Sequence, residues 1–284
     1  MQTAKQTLSI GQAIWLLLLT VGLMLSLGVG LGLLTASYDV ALVLHPGAMA
    51  AVQVLAIGVI LIWGAISGRM SLENVFPLRA LRSSVLLPII PTVIGASILL
   101  SEADNVLRLV LPMPEAMTYV LSSLVGGEGK LWWSALAVVV VAPLAEEFLF
   151  RGLILNNFLS RYSVRKSIVA SALLFGAFHL NPWQFAGGTI AGLLFGWWFV
   201  RTRSLIPCIV GHAMYNGLPL ILIGIFQVNV PGYTGSVAGL AFQPAWFTVS
   251  GLVLAGVGVA MMVRAFTRTA ENNALVSRQG LQET

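Results

Sequence analysis

Two adjacent carboxylates and an arginine stand in an otherwise apolar run, Ala142-Pro143-Leu144-Ala145-Glu146-Glu147-Phe148-Leu149-Phe150-Arg151. Each ionised group in hydrocarbon costs about 2.5 to 3.5 kcal/mol even on the lenient insertion scale, so three in one run point to chemistry rather than packing. On a helix Glu147 and Arg151 share a face and can pair in the favoured order, acid first. Glu146 lies about 100° round the helix and reaches that arginine less easily. Glu147 is then held as a paired anion, and Glu146 is left to take up and release a proton, which makes it the candidate general base. Two of the three histidines lie in comparably apolar runs, His179 in Phe175-Gly176-Ala177-Phe178-His179 and His212 in His212-Ala213-Met214-Tyr215-Asn216. A glutamate and a histidine at one level can take a proton from water and aim the hydroxide at a carbonyl, while an imidazole N–H and a carboxamide stabilise the oxyanion. Those are the parts for amide hydrolysis.

The same set leaves two other readings open. Glu146, His179 and His212 could supply a carboxylate and two imidazoles to a zinc ion with one position left for water. The three helices could also be joined by polar side chains without chemistry. Three familiar protease signatures are absent: the His-Glu-x-x-His helix of zinc proteases, the Gly-x-Ser-x-Gly elbow and a Gly-x-Gly-Asp pair. The preferred hydrolytic reading requires no cofactor, with zinc as the possible one. His45, beside Pro46 in a connecting loop, carries no such argument.

The elements that must position these groups follow from composition. Of 284 residues 58 % are apolar and 9 % charged, and the mean hydropathy is +0.92. A soluble domain carries roughly 25 % charged residues, so an ordinary globular protein is excluded. Long uncharged stretches, from Lys5 to Asp39 and from Arg203 to Arg264, identify an all-α, polytopic, integral membrane protein. A transmembrane barrel would need short alternating strands, and a disulfide scaffold more than the single Cys208. The apolar run from Ser9 to Ala36 is too long for a signal peptide and reads as an uncleaved span.

Cutting at Gly, Pro and charge clusters predicts eight helices, 11–36, 47–68, 84–101, 131–158, 164–180, 184–200, 205–227 and 245–264, in one bundle. Segment 105–125, interrupted by Pro112, Pro114 and Glu115, reads as interfacial or re-entrant. The chain divides into N-terminal helices with the interfacial segment (1–125), helices bearing the polar groups (126–225), an outer loop and last helix (226–264), and a polar, loosely ordered cytoplasmic tail (265–284). Lys5, Arg69, Arg79, Arg82, Arg161, Arg165, Lys166, Arg201, Arg203, Arg264, Arg268 and Arg278 all fall on one side, so both termini are expected in the cytoplasm. The opposite side receives Arg108 and Lys130 with Asp39, Glu102, Asp104, Glu115 and Glu128. Trp132, Trp133, Trp183 and Trp246 are placed to anchor the outer face, and Trp197 and Trp198 the inner one. The net charge of +5 is then loop charge that sets orientation, with the bilayer as partner and no nucleic acid.

Depth brings the candidates together. Glu146 and His179 are equidistant from residue 162.5, inside the turn of an antiparallel hairpin, so they lie level. Counted from Arg203 at 1.5 Å per residue, His212 and Asn216 lie about 13 and 20 Å from the inner boundary, one turn apart on one face. Gly188, Gly192 and Gly196 bare one face of the sixth helix for close packing.

Glu-Glu-x-x-x-Arg at 146–151, Phe-x-x-x-His at 175–179 and His-x-x-x-Asn at 212–216, in that order on three apolar helices, resemble the motifs of the CAAX-protease and bacteriocin-processing family of intramembrane endopeptidases, the Rce1-like or Abi proteins. The resemblance covers about residues 131–223. It implies an eight-helix fold and a glutamate-dependent peptidase, once described as a metalloprotease, in which Glu146 and His179 activate water. It further implies that His212 and Asn216 face the oxyanion, that Glu147 supports the site, and that Arg151 fixes Glu147 or the substrate carboxy terminus. The family also includes membrane scaffolds. The expected activity is cleavage of a peptide or lipidated protein tail near the cytoplasmic half of the cell membrane. A non-catalytic membrane partner and a proton-coupled transporter are the competing classes; no inverted repeat supports the latter. Substrate identity and oligomeric state are not encoded in the motifs.

Overall fold

The computed structural model describes residues 7–35, 44–67, 76–125, 131–234 and 240–280. Lys5, Asp39, Arg69, Glu128 and Lys130, which enter the orientation argument, lie outside them, as does the side chain of Arg278. The described residues form helices and connecting turns, with no strand among them. In chain order the helices are α1 (Ile10–Thr35), α2 (Pro46–Ile66), the single turn α3 (Ser83–Leu86), α4 (Ile89–Val110), α5 (Glu115–Val125), α6 (131–159), α7 (Val164–Phe178), α8 (Pro182–Thr202), α9 (Ile206–Gly224) and α10 (Ala245–Gly280). Each of the eight segments predicted as helices is helical over most of its described length; positions 36 and 68 lie outside the described residues, and 179–180 and 225–227 are not helical. Among the described residues five stretches are long and apolar enough to cross a membrane by length and composition, namely Ile10–Leu34, Pro46–Gly64, Ser83–Val110, Ile206–Gly224 and Ala245–Thr269.

Three boundaries differ from expectation for physical reasons. α4 does not stop at 101. Its acids are neutralised locally: Asp104 pairs with Arg108 one turn on at 2.6 Å, and Glu102 accepts from Asn105 and from the backbone N–H of Gln243. The helix ends at Val110, just before Pro112 and Pro114, which remove N–H donors and disfavour helical geometry in the residues preceding them. The 105–125 segment is thus the end of α4 followed by the separate eleven-residue α5. At the C-terminus the helical backbone of α10 runs on to Gly280, where a loose tail after 264 was expected.

α7 and α8 form an antiparallel hairpin in which the small residues meet in register. Gly188 faces Gly176, Gly192 faces Ala172 and Gly196 faces Ile168. A Cβ on Gly192 would stand 2.9 Å from Ala172 Cα, so the backbone approach there requires glycine. A second close pair was not foreseen: Gly95 and Thr92 of α4 lie against Gly251, Ala255 and Gly258 of α10. The core fills with Phe150, Leu153, Phe158, Phe195, Trp198 and Phe199. Trp198, predicted as an interfacial anchor, is fully buried, whereas its neighbour Trp197 packs edge-on to Phe266 of α10.

Contacts sort the loops to two ends. Leu8 N–H donates to Asn157 Oδ1 and Ile10 N–H to the Tyr162 hydroxyl, so the start of α1 sits beside the α6–α7 turn. Leu205 N–H donates to Pro77 O and Ser204 Oγ to Arg79 O, which joins the α8–α9 turn to the strand of chain before α3. At the opposite end Trp183 Nε1 donates to Leu111 O, and residues 232 and 233 are hydrogen-bonded to Ser97, Ser101 and Asn105 of α4.

Candidate active site

α6 carries the two glutamates, and its backbone is irregular on both sides of them. An α-helical piece, Ala142–Glu147, lies between wider π-helical stretches, Leu136–Val141 and Phe148–Leu155. Such i→i+5 turns re-aim side chains and are common at functional sites. Pro143 marks the end of the first. Ala142 N–H makes an i→i+5 bond to Ala137 O, but Pro143 has no N–H to continue the pattern to Val138 O, and that carbonyl instead accepts from Asn216 Nδ2 of α9 at 2.8 Å. Ser171 of α7 likewise donates to Phe150 O in the second stretch. Polar side chains of the flanking helices therefore complete the α6 backbone.

Glu147 is fully buried and its Oε1 accepts twice, from Arg151 at 2.9 Å and from His212 Nδ1 at 2.9 Å. The arginine is as deeply enclosed. Its second terminal nitrogen donates to Gly192 O at 3.3 Å, and its guanidinium lies 4.5 Å from the Phe175 ring centroid and 5.4 Å from that of Phe195. A planar guanidinium over two aromatic faces suits this enclosure better than a lysine ammonium would. At 1 % exposure Arg151 is paired with Glu147.

Glu146 points elsewhere, as its position round the helix requires. Gln53 of α2 donates to its Oε1 at 2.7 Å, while Oε2 has no hydrogen-bond partner and stands 3.8 Å from His212 Nε2. His212 therefore stands next to both glutamates. Because Glu147 is the acceptor at Nδ1, that nitrogen bears the proton, and Nε2 turned toward Glu146 is a lone pair in the neutral ring or a donor in the imidazolium. The ring is stacked on Phe195 and edge-on to Phe175, with centroids 5.7 Å away in each case.

His179 caps the C-terminus of α7 in a tight turn to α8. Leu180 adopts the left-handed region, φ 57°, and Asn181 caps α8 by accepting from Gln184 N–H while its own amide donates to His179 O. Nδ1 of His179 is 3.0 Å from Phe175 O, a group that can only accept, so this nitrogen is the protonated one and Nε2 of the neutral ring carries the lone pair. Phe175 also touches His179 edge-on, at 5.3 Å between centroids, so one aromatic ring separates the two imidazoles.

A cavity of about 380 Å³ connects these groups. His179, His212, Tyr215 and Asn216 are on its wall, with Phe175 and Phe195, and it runs between α4 and α8 to Asp104, Arg108 and Trp183. Glu146 and Glu147 are not among its lining residues, and Glu146 Oε2 stands 3.8 Å from Nε2 of His212, which is one of them. Among the described residues no hydrogen bond links Glu146 to His179, and His212 is the group that contacts the glutamates and also faces the cavity. No three His, Cys, Asp or Glu side chains among the described residues are grouped so as to hold a metal ion. Glu146, His179 and His212 thus do not assemble into the zinc ligand set that the sequence left open.

Sequence reasoning missed Gln53, Phe195 and the cavity wall on α4. Gln53 had a signal, since it is a lone polar side chain in the uncharged helix Pro46–Ile66. Phe195 had none, because a phenylalanine in an apolar helix is indistinguishable from core until its neighbours are known.

Residues 128–218 match the family described as Type II CAAX prenyl endopeptidase Rce1-like. No curated protein and no solved structure matches the chain.

Proposed function

Because residues 128–218 match the Rce1-like family, we propose that the chain is an intramembrane endopeptidase. In this reading it spans the cell membrane eight times with both termini cytoplasmic, and hydrolyses a peptide bond in a membrane-associated protein or peptide with water activated by Glu146 and His179. The observation that carries this reading is His212, which is hydrogen-bonded to the Arg151-paired Glu147, turned toward Glu146, and in the wall of a cavity shared with His179 and Asn216.

Each group has a separate task. Gln53 occupies Oε1 of Glu146 and leaves Oε2 to accept a proton from water. His179 Nε2, with its tautomer set by Phe175 O, accepts the second water hydrogen and holds the oxygen in place. As the water oxygen bonds to the carbonyl carbon, the carbonyl electron pair moves to oxygen, where His212 Nε2–H and the second N–H of Asn216 receive it. His212 can donate there only as the imidazolium, a charge that Glu147 faces directly. Collapse of the tetrahedral species breaks the C–N bond, and the proton on Glu146 passes to the departing amine.

Prenylated tails and bacteriocin-type leaders would use the same groups. The competing reading, a non-catalytic membrane partner, draws on the absence of Glu146 and Glu147 from the cavity lining, with their polar contacts made inside the protein. Cleavage of a peptide library by purified wild type and by Glu146→Gln separates the two. The peptidase reading expects products from wild type and none from the variant; equal cleavage by both removes Glu146 as base. Elemental analysis alongside is expected to show no stoichiometric zinc, with activity that survives chelators.

A further inference from the structure

We infer that this site is served from the non-cytoplasmic face of the membrane, so that its substrates are peptide segments exposed on that side rather than cytoplasmic tails. The inference rests on the peptidase reading for what happens to the substrate, but not for the side from which the cavity is reached.

Three contacts gather the cations at one end of the bundle. Arg161 donates to Thr7 O, Ser204 Oγ donates to Arg79 O, and the Arg201 guanidinium lies 5.5 Å from the Phe266 ring centroid. With Arg82, Arg165, Lys166, Arg203, Arg264 and Arg268 adjacent in the chain, this end carries nearly all the loop cations of the described residues. The other end has Arg108, which is paired with Asp104, together with Glu102 and Glu115. Excess Lys and Arg in short loops is retained in the cytoplasm, which assigns the first end to that compartment.

The cavity lies toward the second end. α7 starts beside the cation-rich turn and reaches His179 after Val164–Phe178, about 22 Å at 1.5 Å per residue, most of a hydrocarbon layer about 30 Å thick. Between His212 and the α8–α9 turn the interior is solid: Phe195, Trp198, Phe199, Leu205 and Cys208 are each at most 1 % exposed. In the other direction the path is short. The His179 ring lies 3.5 Å from where a Cβ on Gly188 would stand, and Trp183, on the cavity wall, is five residues away along α8, about 7.5 Å. Asp104, Arg108, Met113, Gln184 and Tyr233 complete that part of the wall, and Tyr233 is held to α4 through Ser97. A peptide coming from the cytoplasm would have to pass about 13 Å of packed side chains to reach His212 and about 22 Å to reach His179. One from the opposite face meets polar groups and then the histidines.

The test uses the full chain in intact cells. Its one native thiol, Cys208, is fully buried and provides the blank. Gln184→Cys and Met113→Cys place thiols on the cavity wall, and Ser163→Cys places one at the cation-rich end. A membrane-impermeant maleimide is expected to label the first two in intact cells as fully as after permeabilisation, and the third only after permeabilisation. The reverse pattern overturns the inference. In parallel, a single-span reporter carries the same cleavable segment on either side of the membrane. Loss of the non-cytoplasmic segment, absent with Glu146→Gln, is the expected result, and cleavage of the cytoplasmic one alone overturns it. Expected labelling with no cleavage on either side defeats the peptidase reading and with it the substrate assignment, while leaving the sidedness of the cavity standing.

Discussion

Gln53→Leu should slow catalysis without weakening substrate binding. Gln53 Nε2 donates to Glu146 Oε1 at 2.7 Å in a partly buried setting, and Oε2 of the same carboxylate has no hydrogen-bond partner. Leucine keeps most of the bulk and removes the donor, so Glu146 is free to rotate and present either oxygen. A hydrogen bond to a charged group contributes about 1.5 to 3 kcal/mol, and each 1.36 kcal/mol of barrier is a factor of ten in rate. If the bond acts fully on the transition state, kcat falls by about 10- to 100-fold. KM should stay within about twofold, because Gln53 is on α2, away from the cavity wall. Gln53→Asn, one methylene shorter, should lose nearly as much. The assay is steady-state cleavage of a reporter peptide in detergent, with thermal unfolding as a control for folding. A folded Gln53→Leu protein that turns over at the parental rate would refute the assignment of Gln53 as the residue that orients the base.

Arg151→Met leaves Glu147 buried beside one imidazole only, and removing one partner of a buried pair costs about 3 to 5 kcal/mol; a large drop in Tm of the solubilised protein checks it. Gly192→Ala drives a methyl into Ala172 and should destabilise by about 1 to 3 kcal/mol, whereas Gly22→Ala, with nothing within 4 Å, should be neutral or slightly stabilising in the same unfolding assay. Burial raises the Tyr233 phenol above its ordinary 10.0, against a smaller lowering from its hydrogen bond to Ser97. The folded state thus holds that proton more tightly, so the stabilisation is full below pH 10 and is lost as pH rises through the higher folded value. Hydrogen exchange at residues 228–234 should accelerate in that alkaline range, and Tyr233→Phe should remove the pH dependence.

What could be read from one dimension was whatever repeats locally or is costly in lipid. Four-residue spacing was enough to pair Glu147 with Arg151 and to turn Glu146 away, because helix geometry alone fixes those directions. The Gly188, Gly192 and Gly196 stripe announced a tight helix contact, and the loop cations announced two ends. Pro112 and Pro114 marked a break. The place where α4 stops could not be read, since the charges of Glu102 and Asp104 looked terminal until Asn105, Gln243 and Arg108 were seen to satisfy them.

Partners from distant helices had to come from the folded chain. The residue that holds Glu146, the imidazole shared by both glutamates, and the carbonyl that Asn216 completes are 65 to 93 residues away from their partners in sequence. Hydropathy contains no term for such separations. The direction of the cavity is of the same kind. Depth counted from the turns put Glu146, His179 and Asn216 at one level, but which end of that level opens depended on how Trp198, Phe199 and Leu205 pack. The sequence by itself determined a helical membrane protein and the residue types of its buried polar cluster, because single-residue transfer energies and helical periodicity are local properties. Tertiary structure alone decided which oxygen of each glutamate is held and by which partner, and from which side the site is approached, because those depend on side chains that meet only after the helices have packed.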